Sequence, residues 1–349
     1  MKLQQLKYLI AIVDNGLNIT TAAEALFTSQ PGVSKQIKLL EDELSIQLFE
    51  RKGKSLAGLT SAGVQVVERT RRLLAEAENI KQLASELAGQ KPGELTIATT
   101  PTQARYVLPD MLHEFQQKYS TTALRLNQGT SEQISEQVLG READFAIASG
   151  NSALFENLVT FPMYSWERIV VVPKGHPLTR INNPSLEDIA RFPIISYTYS
   201  FSDESSLGKV FEREGVEPNV VFTAQDPDVI KNFVRKGMGI GIVACMAYEE
   251  RVDNDLVSIQ VHGLFPTLTT WVGFRKDRFL SDHMYEFLKL MVPGITRERI
   301  AIGIDNTGLA ENDPARVRSN VISLPKVRPV QRHPTFGVKF TECCGGFNL

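Results

Sequence analysis

Apolar residues Leu3, Leu6, Leu9, Ile10 and Val13 recur three and four positions apart, the spacing that gathers side chains on one stripe of an α-helix. Asn15-Gly16 is a turn pair that predicts its end. Thr21-x-x-Glu24 predicts a capping box for a second, very short helix whose Ala22, Ala23, Ala25 and Leu26 form a thin, closely packing side. Ser29-Gln30-Pro31 opens a third helix, because serine caps the first N–H groups and proline lacks only an N–H that the first turn would leave unbonded. Its apolar positions Val33, Ile37, Leu40 and Leu44 leave Gln30, Ser34, Lys35 and Lys38 on the opposite side.

Between Leu48 and Thr60 the helical pattern breaks around Gly53 and Gly58, predicting a small hairpin that carries Arg51, Lys52 and Lys54. Thr60 then predicts the cap of a long helix reaching about Leu87, with an apolar seam of Val64, Val67, Leu74, Ile80, Leu83 and Leu87. A small domain cannot bury such a seam alone, so self-association is expected.

Gly89 to Gly93 reads as a linker, and beyond it strands alternate with helices. Leu95 to Thr99, Ala123 to Asn127, Phe145 to Ala148, Ile169 to Val172, Ile194-Ile195, Val220 to Phe222 and Ile240 to Val243 read as strands. Val107 to Tyr119, Glu132 to Leu139 and Asp282 to Met291 read as helices. That rhythm predicts largely parallel sheets covered by helices, arranged as two similar α/β lobes. The chain is expected to cross near Phe161 to Glu167 and return near Gly263 to Thr270. Periodicity fades after Pro293, and residues 295–349 read as a flexible basic tail, with an excess of five positive charges from Pro314 onward.

With 349 residues, 42% of them apolar, the chain is long enough for two or three cored domains. Its net charge of −2 gives no bulk signal for nucleic acid, so any DNA-binding surface must be local. Residues 28–60 carry an excess of only one positive charge. Cys245, Cys343 and Cys344 suit neither a disulfide framework nor a zinc site. The N-terminus lacks a signal-peptide pattern, and the most apolar stretch, Gly239 to Tyr248, is about half the ~20 residues a membrane span needs. A cytoplasmic protein with no membrane association is expected.

Two constellations carry candidate chemistry. A short helix followed by a helix with a polar N-terminal face is the unit that fits a DNA major groove. There Gln30 can pair with adenine, Ser34 can donate or accept, Lys35 and Lys38 can reach guanine or phosphate, and the hairpin cations can grip the backbone. The same lysines would equally serve as the solvated side of an amphipathic helix. The second is Thr99-Thr100-Pro101-Thr102-Gln103 at the carboxyl end of the first α/β strand, where ligands bind in open parallel sheets. Its hydroxyls, amide and helix-start N–H groups can hold a small anion, or the threonines can simply cap the next helix. Asp226 reads more readily as a cap for the helix ending near Lys236, and Cys245 as a buried small hydrophobe. No convergent acid, base or nucleophile set is visible, and no metal-ligand spacing, so neither enzyme nor metal chemistry is expected.

The run Ala22-Ala23-Glu24-x-Leu26-x-x-Ser29-Gln30-Pro31-x-Val33-Ser34-x-Gln36-Ile37-x-x-Leu40-Glu41-x-x-Leu44, followed by Leu48-Phe49-x-Arg51 and Leu59-Thr60-x-x-Gly63, closely resembles the LysR-type transcriptional regulators. Further likeness to their CysB-type branch, activators of sulfate assimilation and cysteine synthesis, lies in Ile97-Ala98-Thr99-Thr100-x-Thr102-Gln103-Ala104-Arg105-Tyr106 and Val221-Phe222-Thr223-Ala224-x-Asp226-x-Asp228. The resemblance implies an α+β multi-domain chain. A winged helix-turn-helix would occupy residues 1–60, a dimerising linker helix 61–88, and a two-lobed, periplasmic-binding-protein-like effector domain 93–294. Lobe I would take 93–162 and 268–294, and lobe II 163–267.

It further implies Ser29, Gln30, Pro31, Ser34, Lys35, Lys38, Arg51 and Lys52 at promoter DNA, and Thr100, Thr102, Gln103, Ser149, Trp166 and Ser202 around the effector. The effector would be an acetylserine-type inducer, sulfate or both, with no other cofactor. Dimers would pair into tetramers, with RNA polymerase as a further partner. A secreted solute-binding protein shares the lobed fold but would carry a signal peptide and lack the Ser29-Gln30-Pro31 helix. A LysR-type regulator of another pathway would differ only in ligand and operator.

Overall fold

The structure, a computed structural model, describes residues 1–53, 55–89, 93–150, 155–201 and 206–306. Lys54, Ser202, Cys343, Cys344 and the basic run from Arg316 therefore lie outside the described residues. The chain divides into two compact units, residues 1–90 with 277–281, and residues 91–276 with 282–349.

The first unit contains α1 (Leu3–Asp14), α2 (Ile19–Ala25), α3 (Gln30–Leu44), the hairpin β1 (Phe49–Lys52) and β2 (Ser55–Leu59), and α4 (Ser61–Leu87). Leu6, Leu9, Ile12, Ala22, Ala23, Val33, Ile37, Leu40, Leu48, Phe49 and Val67 form its core. The expected capping box at Thr21 and Glu24 is not what starts α2. Asn18 lies in extended conformation at the true N-cap, and its carboxamide oxygen accepts from the Thr20 and Thr21 amides. Ser29 does cap α3, accepting from the Gly32 amide at 3.3 Å.

Thr60 caps α4 through the Gly63 amide at 2.9 Å while donating to the Gln47 carbonyl at 2.7 Å. Gly63 is required there, since a Cβ would stand 2.0 Å from the Leu48 carbonyl oxygen. The seam expected along α4 divides in two. Val67 is buried in the core and Leu74 packs against it, whereas Val64, Ile80, Leu83 and Leu87 are exposed, and Leu73, outside the expected seam, joins the last three at near-heptad spacing.

In the second unit the chain runs through β3 (Glu94–Thr99), α5 (Pro101–Tyr106), α6 (Leu108–Lys118), β4 (Ala123–Gln128), α7 (Ser131–Leu139), β5 (Phe145–Ser149) and β6 (Leu158–Trp166). It continues through β7 (Arg168–Pro173), α8 (Leu186–Ala190), β8 (Ile194–Tyr197), α9 (Ser206–Arg213), β9 (Val220–Ala224), α10 (Pro227–Arg235), β10 (Ile240–Ala244) and β11 (Leu256–Gln260). β12 (Leu268–Arg275), α11 (Asp282–Met291) and α12 (Arg297–Asn306) complete it. Two five-stranded sheets result, β4-β3-β5-β12-β6 in lobe I and β11-β7-β10-β8-β9 in lobe II.

Each sheet has the expected largely parallel character, four strands running one way, but carries one strand against them, β12 in the first and β7 in the second. The crossing segments are also shorter than expected, because 161–166 belongs to β6 and 268–270 to β12. Lobe I therefore reaches Trp166, which lies in register with Leu268, and Glu167 alone separates it from β7. Pro162 fits within β6 because this is an edge strand, and the register slips beside it.

The tail does not begin at residue 295. Ile295 and Ile300 are buried, and α12 lies against β6 with Gly303 beside Phe161 and Val159. Apolar packing that the faded periodicity concealed holds this helix in place.

Candidate functional site

Lobe I and lobe II enclose a cavity of about 250 Å3. It lies at the carboxyl ends of β3 and β5, where parallel strands leave a crevice. α5 and α7 both begin on it, capped by Thr100 and Thr130, whose hydroxyl oxygens each accept from an amide three residues on at 3.4 Å. Thr100 is thus a cap that also lines the cavity, so the two sequence readings of that residue coexist.

Thr102, Gln103, Ser149 and Trp166 stand with Thr100 around this cavity, while Ser202 lies outside the described residues. Gln103, Ser149 and Trp166 are wired to one another through two residues that the sequence did not single out, Tyr164 and Thr270. The Gln103 carboxamide donates to Thr270 Oγ1 at 3.4 Å and accepts from the Tyr164 hydroxyl. The Trp166 indole N–H donates to Ser149 Oγ at 3.0 Å and to Thr270 Oγ1 at 3.2 Å, and those two hydroxyls are 2.7 Å apart. Trp166 is therefore a hydrogen-bonded wall of the cavity as well as a packing residue.

From lobe II, the Tyr197 hydroxyl meets Thr102 Oγ1 at 3.5 Å and accepts from the Ala244 amide at 3.2 Å. Burial pushes the Tyr197 phenol up to about 12 and raises the Tyr164 and Tyr199 phenols as well. All three are neutral hydroxyls at physiological pH. Tyr197 and Tyr199 stack with ring centroids 5.1 Å apart.

A second polar group ties the lobes outside the cavity. The Tyr106 hydroxyl, at the end of α5, donates to Asp228 of α10 at 2.6 Å and accepts from Lys231 Nζ at 3.0 Å. Arg105 pairs with the same carboxylate at 2.5 Å. Lys231, itself buried, also donates to Asp253 and to the Ala247 carbonyl, each at 2.7 Å. Asp226 is the N-cap of α10, accepting from the Asp228 amide at 2.7 Å, in accord with the capping role read for it.

In the first unit, Pro31, Ser34, Lys35 and Lys38 share one face of α3 by their spacing. Gln30, Pro31, Lys35, Lys38, Arg51 and Lys52 are exposed. Ser29 spends its hydroxyl acceptor on the cap. Glu41, one of the negative charges of this segment, is buried. Its carboxylate accepts from the Leu48 amide at 2.8 Å, the Phe49 amide at 3.3 Å and Arg51 Nη2 at 3.2 Å. Arg51 therefore fastens the hairpin to α3. Cys245 is buried at the end of β10, and among the described residues no three His, Cys, Asp or Glu side chains gather to hold a metal.

A model of the LysR substrate binding domain matches residues 88–294, and one of the bacterial regulatory helix-turn-helix proteins of the lysR family matches residues 3–64. The HTH-type transcriptional regulator CysB of Haemophilus influenzae is 43% identical over 297 residues, 85% of this chain and 92% of its own. The regulator SsuR of Burkholderia cenocepacia is 44% identical over 301 residues, 86% of this chain and 98% of its own. The crystal structure of the cofactor-binding domain of the Cbl transcriptional regulator is 37% identical. It covers 61% of this chain and 93% of its own, with a TM-score of 0.58. The two family models match the helix-turn-helix unit and the two-lobed domain of this chain in turn, and the chain belongs to the LysR family of transcriptional regulators.

Proposed function

We propose that the chain activates sulfate-assimilation and cysteine-biosynthesis genes from the cytoplasm, binding promoter DNA through α3 and the β1–β2 hairpin and sensing an acetylserine-type inducer or sulfate in the interlobe cavity. The observation that carries this reading is the identity of 43 to 44% with the regulators CysB and SsuR across 85 to 86% of the chain. The cavity adds chemical support, since hydroxyls, an amide and the N-terminus of α7 suit a small oxyanion. Ser29, Gln30, Pro31, Ser34, Lys35, Lys38 and Lys52 would face DNA, and Thr100, Thr102, Gln103, Ser149, Trp166 and Ser202 the effector.

The exposed Leu73, Ile80, Leu83 and Leu87 supply a face for pairing α4 with a second copy. Tetramers and RNA polymerase contact would follow at the promoter. The effector acts through unequal affinity for two lobe or subunit arrangements. A footprint on a sulfate-assimilation promoter, with and without acetylserine, tests the whole reading. Protection that shifts with acetylserine is expected. An absence of protection in both conditions would instead favour a LysR-type regulator of a different pathway, sensing another small polar or anionic metabolite.

A further inference from the structure

Arg168 is the first residue of β7 and is only 3% exposed. Its guanidinium carbon lies 5.9 Å from the centroid of the Trp166 ring, and its charge is felt by the Tyr197 and Tyr199 phenols. Its register partner on β10 is Ala244. Trp166, Tyr199 and Ala244 are all cavity-lining residues, so the guanidinium stands directly behind one wall of the cleft. Neither Nε nor Nη1 meets a hydrogen-bond acceptor among the described residues.

An arginine cannot escape this situation by losing its proton. Burial lowers its pKa, yet guanidinium starts so high that it stays charged at any physiological pH. A buried charge without a partner is strongly disfavoured, and its field reaches far where the dielectric is low. Among the described residues no carboxylate answers it. The phenols around it are neutral, Glu167 next in sequence turns to His262 at 3.2 Å, and Glu132, the one carboxylate on the cavity among the described residues, is exposed.

We propose that Arg168 is the anion-selecting charge of the cleft, favouring an effector that places a sulfate or carboxylate group against the Trp166–Tyr199 wall over an uncharged analogue of the same shape. Thr100, Thr102 and Gln103 would then recognise shape and hydrogen-bonding pattern, and Arg168 would set the charge. This rests on the reading of the cavity as the effector site.

The test is calorimetric titration of the full-length protein with sodium sulfate, N-acetylserine and the uncharged N-acetylserine amide, for wild type, Arg168→Met, Arg168→Lys and Thr102→Val. Arg168→Met is expected to weaken both anions by about tenfold or more and leave the amide within about twofold, the selective loss that removing a charged partner produces. Its unliganded melting temperature should be unchanged or raised, because a buried charge with two unbonded nitrogens is gone. Arg168→Lys should retain the preference for anion over amide, and this arm decides the matter if the methionine variant does not fold. Equal loss of anions and amide in Arg168→Met, or anion binding within about twofold of wild type, would overturn the proposal. Thr102→Val separates the two readings: if it leaves anion binding intact, the cavity is not the effector site and the role of Arg168 falls with it.

Discussion

Tyr106 donates its hydroxyl hydrogen to the Asp228 carboxylate at 2.6 Å, across the two lobes. The six-residue helix α5 that starts on the cavity at Thr100 therefore ends on an interlobe clasp, and Lys231 holds the same hydroxyl from the other side at 3.0 Å. Cavity and clasp share one short helix. A shift at Thr102 or Gln103 would reach Tyr106 without any intervening loop.

Tyr106→Phe should loosen the lobes while leaving the cavity walls in place. A hydrogen bond to a charged group contributes about 1.5–3 kcal/mol, but Arg105 and Lys231 still hold Asp228. The expected result is an effector affinity lower by about three- to tenfold, because a smaller fraction of the protein is in the closed, binding-competent state. Titration of both proteins checks this, with unaltered affinity excluding a role for the clasp.

Asp253 and Lys231 predict where acid weakens the second unit. Burial raises the Asp253 pKa, but the Glu249 amide, Lys231 and Arg235 outweigh it and hold the carboxyl below its ordinary value of 3.8. A group whose pKa is lower in the folded state contributes stability above its unfolded pKa and loses that contribution as pH falls through the folded one. Melting temperature should thus decline below about pH 4 partly through this group. Asp253→Asn should flatten that decline and lower stability at neutral pH, by less than the about 3–5 kcal/mol of a fully stranded charge, because buried Lys231 keeps only Asp228, at 3.1 Å, as its counter-charge. A neutral-pH melt unchanged by the substitution would show that the pair is dispensable.

Gly63→Ala should destabilise the first unit by more than an ordinary surface change. The new methyl would be forced within 2.0 Å of the Leu48 carbonyl oxygen. That oxygen also accepts from the Thr60 amide at 3.0 Å, and the Leu48 amide is held by Glu41. Relief requires moving the hairpin or the start of α4, at a cost of about 1–3 kcal/mol. The melting transition should fall and DNA affinity with it, with effector binding preserved.

Much of this was legible in the sequence because it is local. The spacing of Val33, Ile37 and Leu40 is a helix signal in itself, and Ser29 followed by Pro31 marks a start that no distant residue needs to define. The strands β6 and β12 were not legible. β6 contains Pro162, and β12 contains polar Thr269 and Thr270. What makes each a strand is its pairing with a partner about a hundred residues away. The site inherited that blindness, since Tyr164 and Thr270 lie on those strands and reach the cavity-lining Gln103, Ser149 and Trp166 through register alone. Arg168 stands in the sequence simply beside the apolar run Ile169 to Val172, and only the fold reveals that it is interior. The burial of Glu41 is hidden from the sequence for the same reason, its amide partners lying seven and eight residues on.

Gln30 and Lys38 should fail differently on DNA. Both are exposed on α3, but a carboxamide that pairs with a base edge carries sequence information, whereas an ammonium at a phosphate does not. Gln30→Ala should therefore relax discrimination at one base pair by about 1–3 kcal/mol while barely altering nonspecific affinity. Lys38→Ala should weaken binding to all sequences alike and reduce the slope of log affinity against log salt by about one for each phosphate no longer neutralised. If a dimer binds, that reduction is doubled. Competition titrations across a salt series, with promoter and scrambled duplexes, measure both quantities on the same samples. Arg51→Ala should resemble neither pattern. Its guanidinium is engaged with buried Glu41, so its removal should lower the melting temperature of the first unit as well as DNA affinity. A drop in affinity with no change in melting would instead make Arg51 a direct phosphate ligand.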